Sequence, residues 1–126
     1  MSKKRILIID DERGFSRMLQ LHLESSTYNY EVRIENDSRC AVSAALQFQP
    51  DLVLLDLIMP YLEGHEVAEL FKKNSHLNKT PIVFLTATMI NSLNPPLPSS
   101  IASYPFIIKP SKIETIVETI NKYIPS

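Results

Sequence analysis

The sequence predicts an α/β protein with a doubly wound, mostly parallel β-sheet, and three observations carry this prediction. Short apolar runs alternate along the 126-residue chain with segments of helical periodicity. One run, Leu52–Leu55, is apolar at every position, which indicates a strand covered on both faces. The helical segments are amphipathic, with one face suited to packing on a sheet. Strands that alternate with such helices are typical of parallel sheets with helices on both sides.

The N-terminal half of the chain supplies the first three strands and two helices. Ile6–Ile9 is an unbroken apolar run and indicates a buried strand, whereas Gly14–Ser25 has the i, i+3, i+4 spacing of an amphipathic helix. Tyr30–Ile34 alternates apolar with polar residues, which predicts a strand nearer the edge of the sheet. Asp37 offers an oxygen that caps the start of a second helix, and Pro50 ends it before the third strand.

The C-terminal half predicts two more strands and at least two helices. A helix follows Gly64, and Ile82–Leu85 is the fourth strand. Phe106–Ile108 is a fifth strand, and Lys112–Tyr123 has the apolar stripe of a closing helix. The segment Ile90–Ser103 has three prolines within four positions, which a helix interior does not tolerate.

Composition and charge limit the classes of function. The net charge is -1, which gives no basic footprint for nucleic acid, so we expect no nucleic-acid partner. A single cysteine, Cys40, forms no internal disulfide and is compatible with a reducing compartment. Membrane spans need about 20 apolar residues, and no window of the sequence approaches this length. We therefore expect one cytoplasmic domain, residues 1–126, without membrane insertion.

Polar residues follow the predicted strands at their carboxyl ends, where parallel sheets bind ligands. In chain order they are Asp10, Asp11, Glu12, Asp56, Thr86 and Lys109. Two carboxylates about 4 Å apart repel by about 4 kcal/mol at an effective dielectric near 20, so a crowded acidic group calls for a cation. Oxygen ligands of this charge suit Mg²⁺, and lysine pairs well with a phosphoryl oxygen. The set predicts phosphoryl transfer onto a carboxylate, with Asp56 as the nucleophile.

These residues lie in stretches that resemble the receiver domain of two-component response regulators, the CheY-like superfamily. The matching stretches are ILIIDDE, PDLVLLDLIMP, PIVFLTA and FIIKP, together with Gly64, and the resemblance covers roughly Lys4 to Tyr123. It implies a flavodoxin-like, five-stranded parallel sheet in the order 2-1-3-4-5. It also implies a non-enzymatic signalling protein that accepts a phosphoryl group and switches protein contacts.

The resemblance assigns a role to each polar residue at the strand ends. Asp56 is the expected phosphoacceptor, supplied by a sensor histidine kinase or a phosphotransfer protein. Its cofactor is expected to be Mg²⁺, bound directly by Asp11, Asp56 and the backbone carbonyl of Ile58, with Asp10 assisting through water.

Three further roles are implied on the phosphoryl side of the site. Thr86 is expected to hydrogen-bond the phosphoryl group and Lys109 to pair with it. Phe106 stands at the position of the family's switch aromatic residue.

The chain departs from the family pattern in two places. The helix that relatives carry between the fourth and fifth strands is expected to be lost, short or displaced, because of the prolines in Ile90–Ser103. Ile58 and Thr88 occupy the positions that influence phosphate lifetime in relatives, and neither is an acid or amide able to orient water well. We expect a long-lived phosphoryl group.

Three alternatives remain beside the phosphoacceptor switch. The chain is also compatible with an interaction module that keeps the fold but no longer responds to phosphate. An aspartate-nucleophile phosphohydrolase is disfavoured, because such enzymes have a second aspartate two residues after the nucleophile and this chain has Ile58. A receiver excised from a hybrid kinase fits the sequence as well as a free-standing domain.

Overall fold

The computed structural model describes residues 3–87, 103–109 and 111–125. Five strands and four α-helices, with a short 3₁₀ turn at Ser38–Cys40 before α2, make up these residues. The strands are β1 Arg5–Ile9, β2 Glu31–Glu35, β3 Leu52–Asp56, β4 Ile82–Thr86 and β5 Phe106–Ile108. The helices are α1 Arg13–Leu23, α2 Ala41–Phe48, α3 Gly64–Lys73 and α4 Ile113–Tyr123.

All neighbouring strands pair in parallel, in the order β2-β1-β3-β4-β5. This confirms the doubly wound, flavodoxin-like sheet that the sequence and its resemblance predicted. Parallel pairing brings the carboxyl ends of the strands to one edge. Asp56 lies opposite Leu85 in this register, and Thr86 lies opposite Ile108.

The core has two parts, one on each face of the sheet. Alternate residues of β1 and β3, among them Leu7 and Leu55, face the apolar side of α2 and α3. Their neighbours, such as Ile8 and Leu54, face α1 and α4. Because both faces are covered, the central strands β3 and β4 are buried along their whole length. The strand-end residues therefore extend from a tightly packed, buried part of the sheet.

The strand predictions are accurate to one residue at each end, and the small shifts matter for the site. β3 and β4 each extend one residue further than predicted, so Asp56 and Thr86 are the last residues of their strands. Asp37 accepts a hydrogen bond from the backbone N–H of Arg39, as its predicted capping role requires, although the first turn is 3₁₀. The predicted loss of a helix between β4 and β5 concerns residues that lie largely outside those the structure describes.

None of the described helices combines the length and apolar character needed to cross a membrane. The longest, α1 and α4, have 11 residues each. A membrane-spanning helix needs about 20 residues.

Candidate functional site

Three carboxylates meet at the carboxyl edge of the sheet. Asp10 follows β1 and is fully buried, Asp56 ends β3 and is also buried, and Asp11 is exposed beside them. One oxygen from each of the three carboxylates lies within 4.8 Å of the other two. Together they can surround a single small cation.

Lys109 directly follows β5, and its side chain extends into this acidic group. Its ammonium nitrogen lies 2.6 Å from Asp10 Oδ2 and 3.8 Å from Asp56 Oδ2. The backbone N–H of Lys109 donates to the carbonyl of Thr86 at 2.7 Å, which continues the β4–β5 ladder and fixes the direction of the side chain. The ammonium also lies 4.3 Å from the centre of the Phe15 ring, within the range of a cation–π interaction.

Asp10 is held by contacts that the sequence analysis did not identify. Its Oδ1 accepts from the backbone N–H of Glu12 at 2.9 Å, and its carbonyl accepts from the Asn36 side-chain amide at 2.7 Å. The buried Ser16 hydroxyl lies 3.4 Å from the Asp10 carbonyl, and it also donates to the carbonyl of Glu12 at 2.8 Å. Nothing in the local sequence marks Asn36, because it meets Asp10 only after β1 and β2 have paired.

The turn after Asp56 is fixed by the close approach of α3. The N–H of Gly64 donates to the carbonyl of Leu57 at 2.8 Å. A side chain on Gly64 would place its Cβ 2.4 Å from the Asp56 carbonyl oxygen, so only glycine fits without movement. Ser38 closes the same turn from the other side, donating to the Pro60 carbonyl at 2.8 Å and accepting from the Leu62 N–H at 3.0 Å.

The charges at this edge perturb one another strongly. Burial, followed by repulsion from the Asp10 carboxylate, raises the pKa of Asp56 from 3.8 to about 8, although the charge of Lys109 opposes the rise. Burial by itself would lower the pKa of Lys109, but the hydrogen bond to Asp10 and the charges of Asp56 and Asp10 outweigh it, and the net shift is upward. Perturbed ionisable groups of this kind are typical of functional sites.

Four of the eight predicted site residues line one open cleft of about 230 Å³. Asp11, Asp56, Ile58 and Lys109 line it together with Glu12 and Ala87. Asp10 does not line the cleft but forms an ion pair with Lys109, which does. Thr86 is buried at the end of β4, next to Ala87 in the sequence.

Phe106 lies away from the cleft, and Thr88 lies outside the described residues. The Phe106 ring is half-buried and stacks on Phe84, with 5.2 Å between ring centres.

A comparison with protein families matches residues 6–121 to the response regulator receiver domain. The chain belongs to this family. Among curated proteins, response regulator ArlR of Staphylococcus saprophyticus is 33% identical over 117 residues, covering 93% of this chain and 50% of ArlR. The DNA-binding dual master transcriptional regulator RpaA of Synechocystis is 34% identical over 83 residues, covering 66% of this receiver and 34% of RpaA.

Solved structures agree with the receiver fold. Chemotaxis protein CheY4 of Vibrio cholerae superposes with a TM-score of 0.83 at 23% identity, covering 98% of this receiver and all of CheY4. Response regulator TrrA of Thermotoga maritima, solved in complex with Mg²⁺-BeF, gives a TM-score of 0.78 at 29% identity, with coverages of 94% and 97%.

The receiver spans about half, or less, of the length of these curated relatives. Since the name of RpaA describes a DNA-binding protein, the sequence prediction that nucleic acid is not a partner finds no support in these comparisons.

Two other features of the receiver do not add to the site. A larger cavity of about 520 Å³ lies at the opposite edge of the sheet, between the end of α2 and the turn before β4, and holds none of the predicted site residues. Glu63, His65 and Glu66 form a second group of possible metal ligands. Glu63 and Glu66 already form a capping box at the start of α3, which explains this group as a helix cap.

Proposed function

We propose that this receiver accepts a phosphoryl group on Asp56 from a phosphohistidine of a sensor histidine kinase or a phosphotransfer protein. The observation that carries the proposal is the meeting of three carboxylates and a lysine in one open cleft at the carboxyl edge of the sheet. The chain's membership of the receiver family supports the same role. The phosphorylation-insensitive module, by contrast, gives no reason for this arrangement of charges.

The donor set suits Mg²⁺ as the cofactor. Hard divalent ions prefer oxygen ligands, and three carboxylates within 4.8 Å of one another offer both oxygens and charge. Asp11, Asp56 and the carbonyl of Ile58 would hold the ion directly, and Asp10 would assist through water. When bound, the ion offsets the repulsion between the carboxylates and neutralises charge on the transferred phosphoryl group. The Mg²⁺-BeF complex of TrrA gives a structural precedent in a relative.

The chain's own residues divide the work of the transfer. A carboxylate oxygen of Asp56 attacks phosphorus in line, the new O–P bond forms, and the P–N bond to the donor histidine breaks. The ammonium of Lys109, which lies 3.8 Å from Asp56, neutralises charge on the phosphoryl oxygens without giving up a proton. The hydroxyl of Thr86 donates a hydrogen bond to the same group.

The proposed switch follows from the added charge. Phosphorylation changes Asp56 from about -1 to about -2 and adds strong acceptor oxygens, which draw Thr86 and Lys109 towards them. Movement of Thr86 would free space at β4 for Phe106, whose ring stacks on that of Phe84, its partner in the β4–β5 register. The surface around β4 and β5 would then change shape and alter its contacts with a downstream protein.

Incubation with acetyl phosphate and Mg²⁺, followed by intact mass measurement, tests the proposal. We expect one added phosphoryl group, lost in Asp56→Asn and after chelation of Mg²⁺. Asp51→Asn is the matched control, because Asp51 precedes β3 at its opposite end, where its carboxylate accepts a hydrogen bond from the Arg5 N–H. Labelling that persists in Asp56→Asn would refute the assignment, and a wild-type protein that takes up no phosphoryl would favour the interaction module.

A further inference from the structure

Glu12 lines the cleft but takes no part in the proposed phosphoryl transfer. It precedes α1 at the N-cap position, but its side chain makes no capping hydrogen bond. Instead its carboxylate turns to the cleft, where Oε1 lies 3.3 Å from the Lys109 ammonium. The side chain is 61% exposed, whereas that of Lys109 is only 8% exposed.

The Lys109 ammonium is shared among three carboxylates at unequal distances. The ammonium nitrogen lies 2.6 Å from Asp10 and 3.3 Å from Glu12, but 3.8 Å from Asp56. Two of its three N–H donors therefore serve Asp10 and Glu12, and the Phe15 ring covers it at 4.3 Å. A phosphoryl group on Asp56 has to compete with these partners for the same charge.

We propose that Glu12 is a positioning residue that holds Lys109 away from Asp56 and thereby slows phosphorylation. The inference rests on the proposed function of Asp56. Glu12 acts in two ways: its hydrogen bond retains the ammonium at the mouth of the cleft, and its negative charge opposes the entry of an anionic phosphodonor. The same negative charge strengthens the attraction of Mg²⁺ to the cleft.

An ordinary exposed ion pair would behave differently. Such pairs contribute little, because both charges remain solvated and salt screens them. Here the lysine partner is buried and shared with Asp10 and Asp56, so loss of Glu12 redistributes a charge that the reaction uses. The contact is therefore expected to affect the reaction more than the stability of the fold.

The test compares Glu12→Gln, Glu12→Asp and the wild type during phosphorylation by acetyl phosphate over a range of Mg²⁺ concentrations. Glutamine removes the charge, whereas aspartate keeps it but is one methylene too short to reach Lys109. We expect both variants to raise the maximal rate by about two- to fivefold, and only Glu12→Gln to raise the half-saturating Mg²⁺ concentration. Glu118→Gln, an exposed acid on α4, controls for the change in net charge.

The outcomes separate the two proposals. Unchanged or reduced maximal rates in both Glu12 variants, with normal labelling of the wild type, would overturn the role of Glu12 alone. An equal change in Glu118→Gln would also overturn it, since the effect would then be one of overall charge. If the wild type accepts no phosphoryl group, both proposals fail. Thermal melting of each variant establishes that the rates refer to folded protein.

Discussion

Asp56 is the residue whose ionisation the fold opposes most clearly. Burial and the charge of Asp10 raise its pKa from 3.8 to about 8, so the folded protein holds this proton more tightly than the unfolded chain. The stability that results is complete below pH 4 and is lost as the pH rises towards 8. Asp56→Asn removes the titration. In Mg²⁺-free buffer its advantage in unfolding free energy over the wild type should widen by about 2 kcal/mol between pH 5 and pH 8.5, after allowance for solvent screening.

Urea denaturation at several pH values measures this difference. A constant gap between the two proteins across this pH range would show that Asp56 titrates normally. Asp51→Asn gives the matched comparison, since its carboxylate lies at the other end of the same strand.

The side chain of Ile58 is expected to influence the lifetime of a phosphoryl group on Asp56. The residue is 49% exposed and lines the cleft with Asp56 and Lys109, but its side chain offers no polar atom to orient an attacking water. Ile58→Asn should accelerate loss of the phosphoryl group by about tenfold. The decay of purified phosphoprotein, followed by intact mass, measures the effect, and Ile58→Val serves as the apolar control. Equal decay rates in the asparagine variant and the wild type would contradict the prediction.

At the scale of the element, the start of α3 sets the position of the strand end. A Cβ on Gly64 would meet the backbone of Asp56 at 2.4 Å and that of Leu57 at 2.8 Å. Gly64→Ala should therefore lower the free energy of unfolding by about 1–3 kcal/mol, because backbone atoms have to move. It should also slow phosphorylation, since the displaced atoms belong to Asp56.

Gly14 provides the contrast within the same chain. It lies in α1, and a Cβ there meets nothing within 4 Å. Gly14→Ala should raise the unfolding free energy by about 0.5–1 kcal/mol through helix propensity alone. Chemical denaturation gives the unfolding free energy of each variant. Equal changes at the two glycines would show that adding a Cβ at Gly64, where α3 approaches β3, does not destabilise the fold.

The elements also show how far the sequence predicts the structure. Apolar runs such as Leu52–Leu55 predict their strands, because a strand buried on both faces is apolar at every position and does not alternate with polar residues. The grouping of Asp56, Thr86 and Lys109 is also predictable from the sequence, because each residue stands at the carboxyl end of a predicted strand and the carboxyl ends of parallel strands meet at one edge of the sheet. The support of Asp10 by Asn36 has no such signature, because it depends on a contact between residues 26 positions apart.

At the scale of the whole molecule, the cleft exists only when the chain is folded. Lys109 and Asp10 are separated by 99 positions, and Asp56 comes from a third strand between them. A cation that binds this assembled cleft, and not the unfolded chain, must add to the stability of the entire domain. At ten times its dissociation constant, Mg²⁺ should raise the unfolding free energy by about 1.4 kcal/mol.

Thermal melting over a series of Mg²⁺ concentrations measures this linkage, with Asp11→Asn as the variant that weakens the donor set. The stabilisation should be larger at pH 8.5 than at pH 6, because burial and Asp10 raise the pKa of Asp56 and protons compete with the ion for its carboxylate. Equal stabilisation of the wild type and Asp11→Asn would place the ion elsewhere on the molecule. Stabilisation confined to the wild type, and growing with pH, would link folding and metal binding to the group of charges that contains Asp56, the proposed phosphoacceptor.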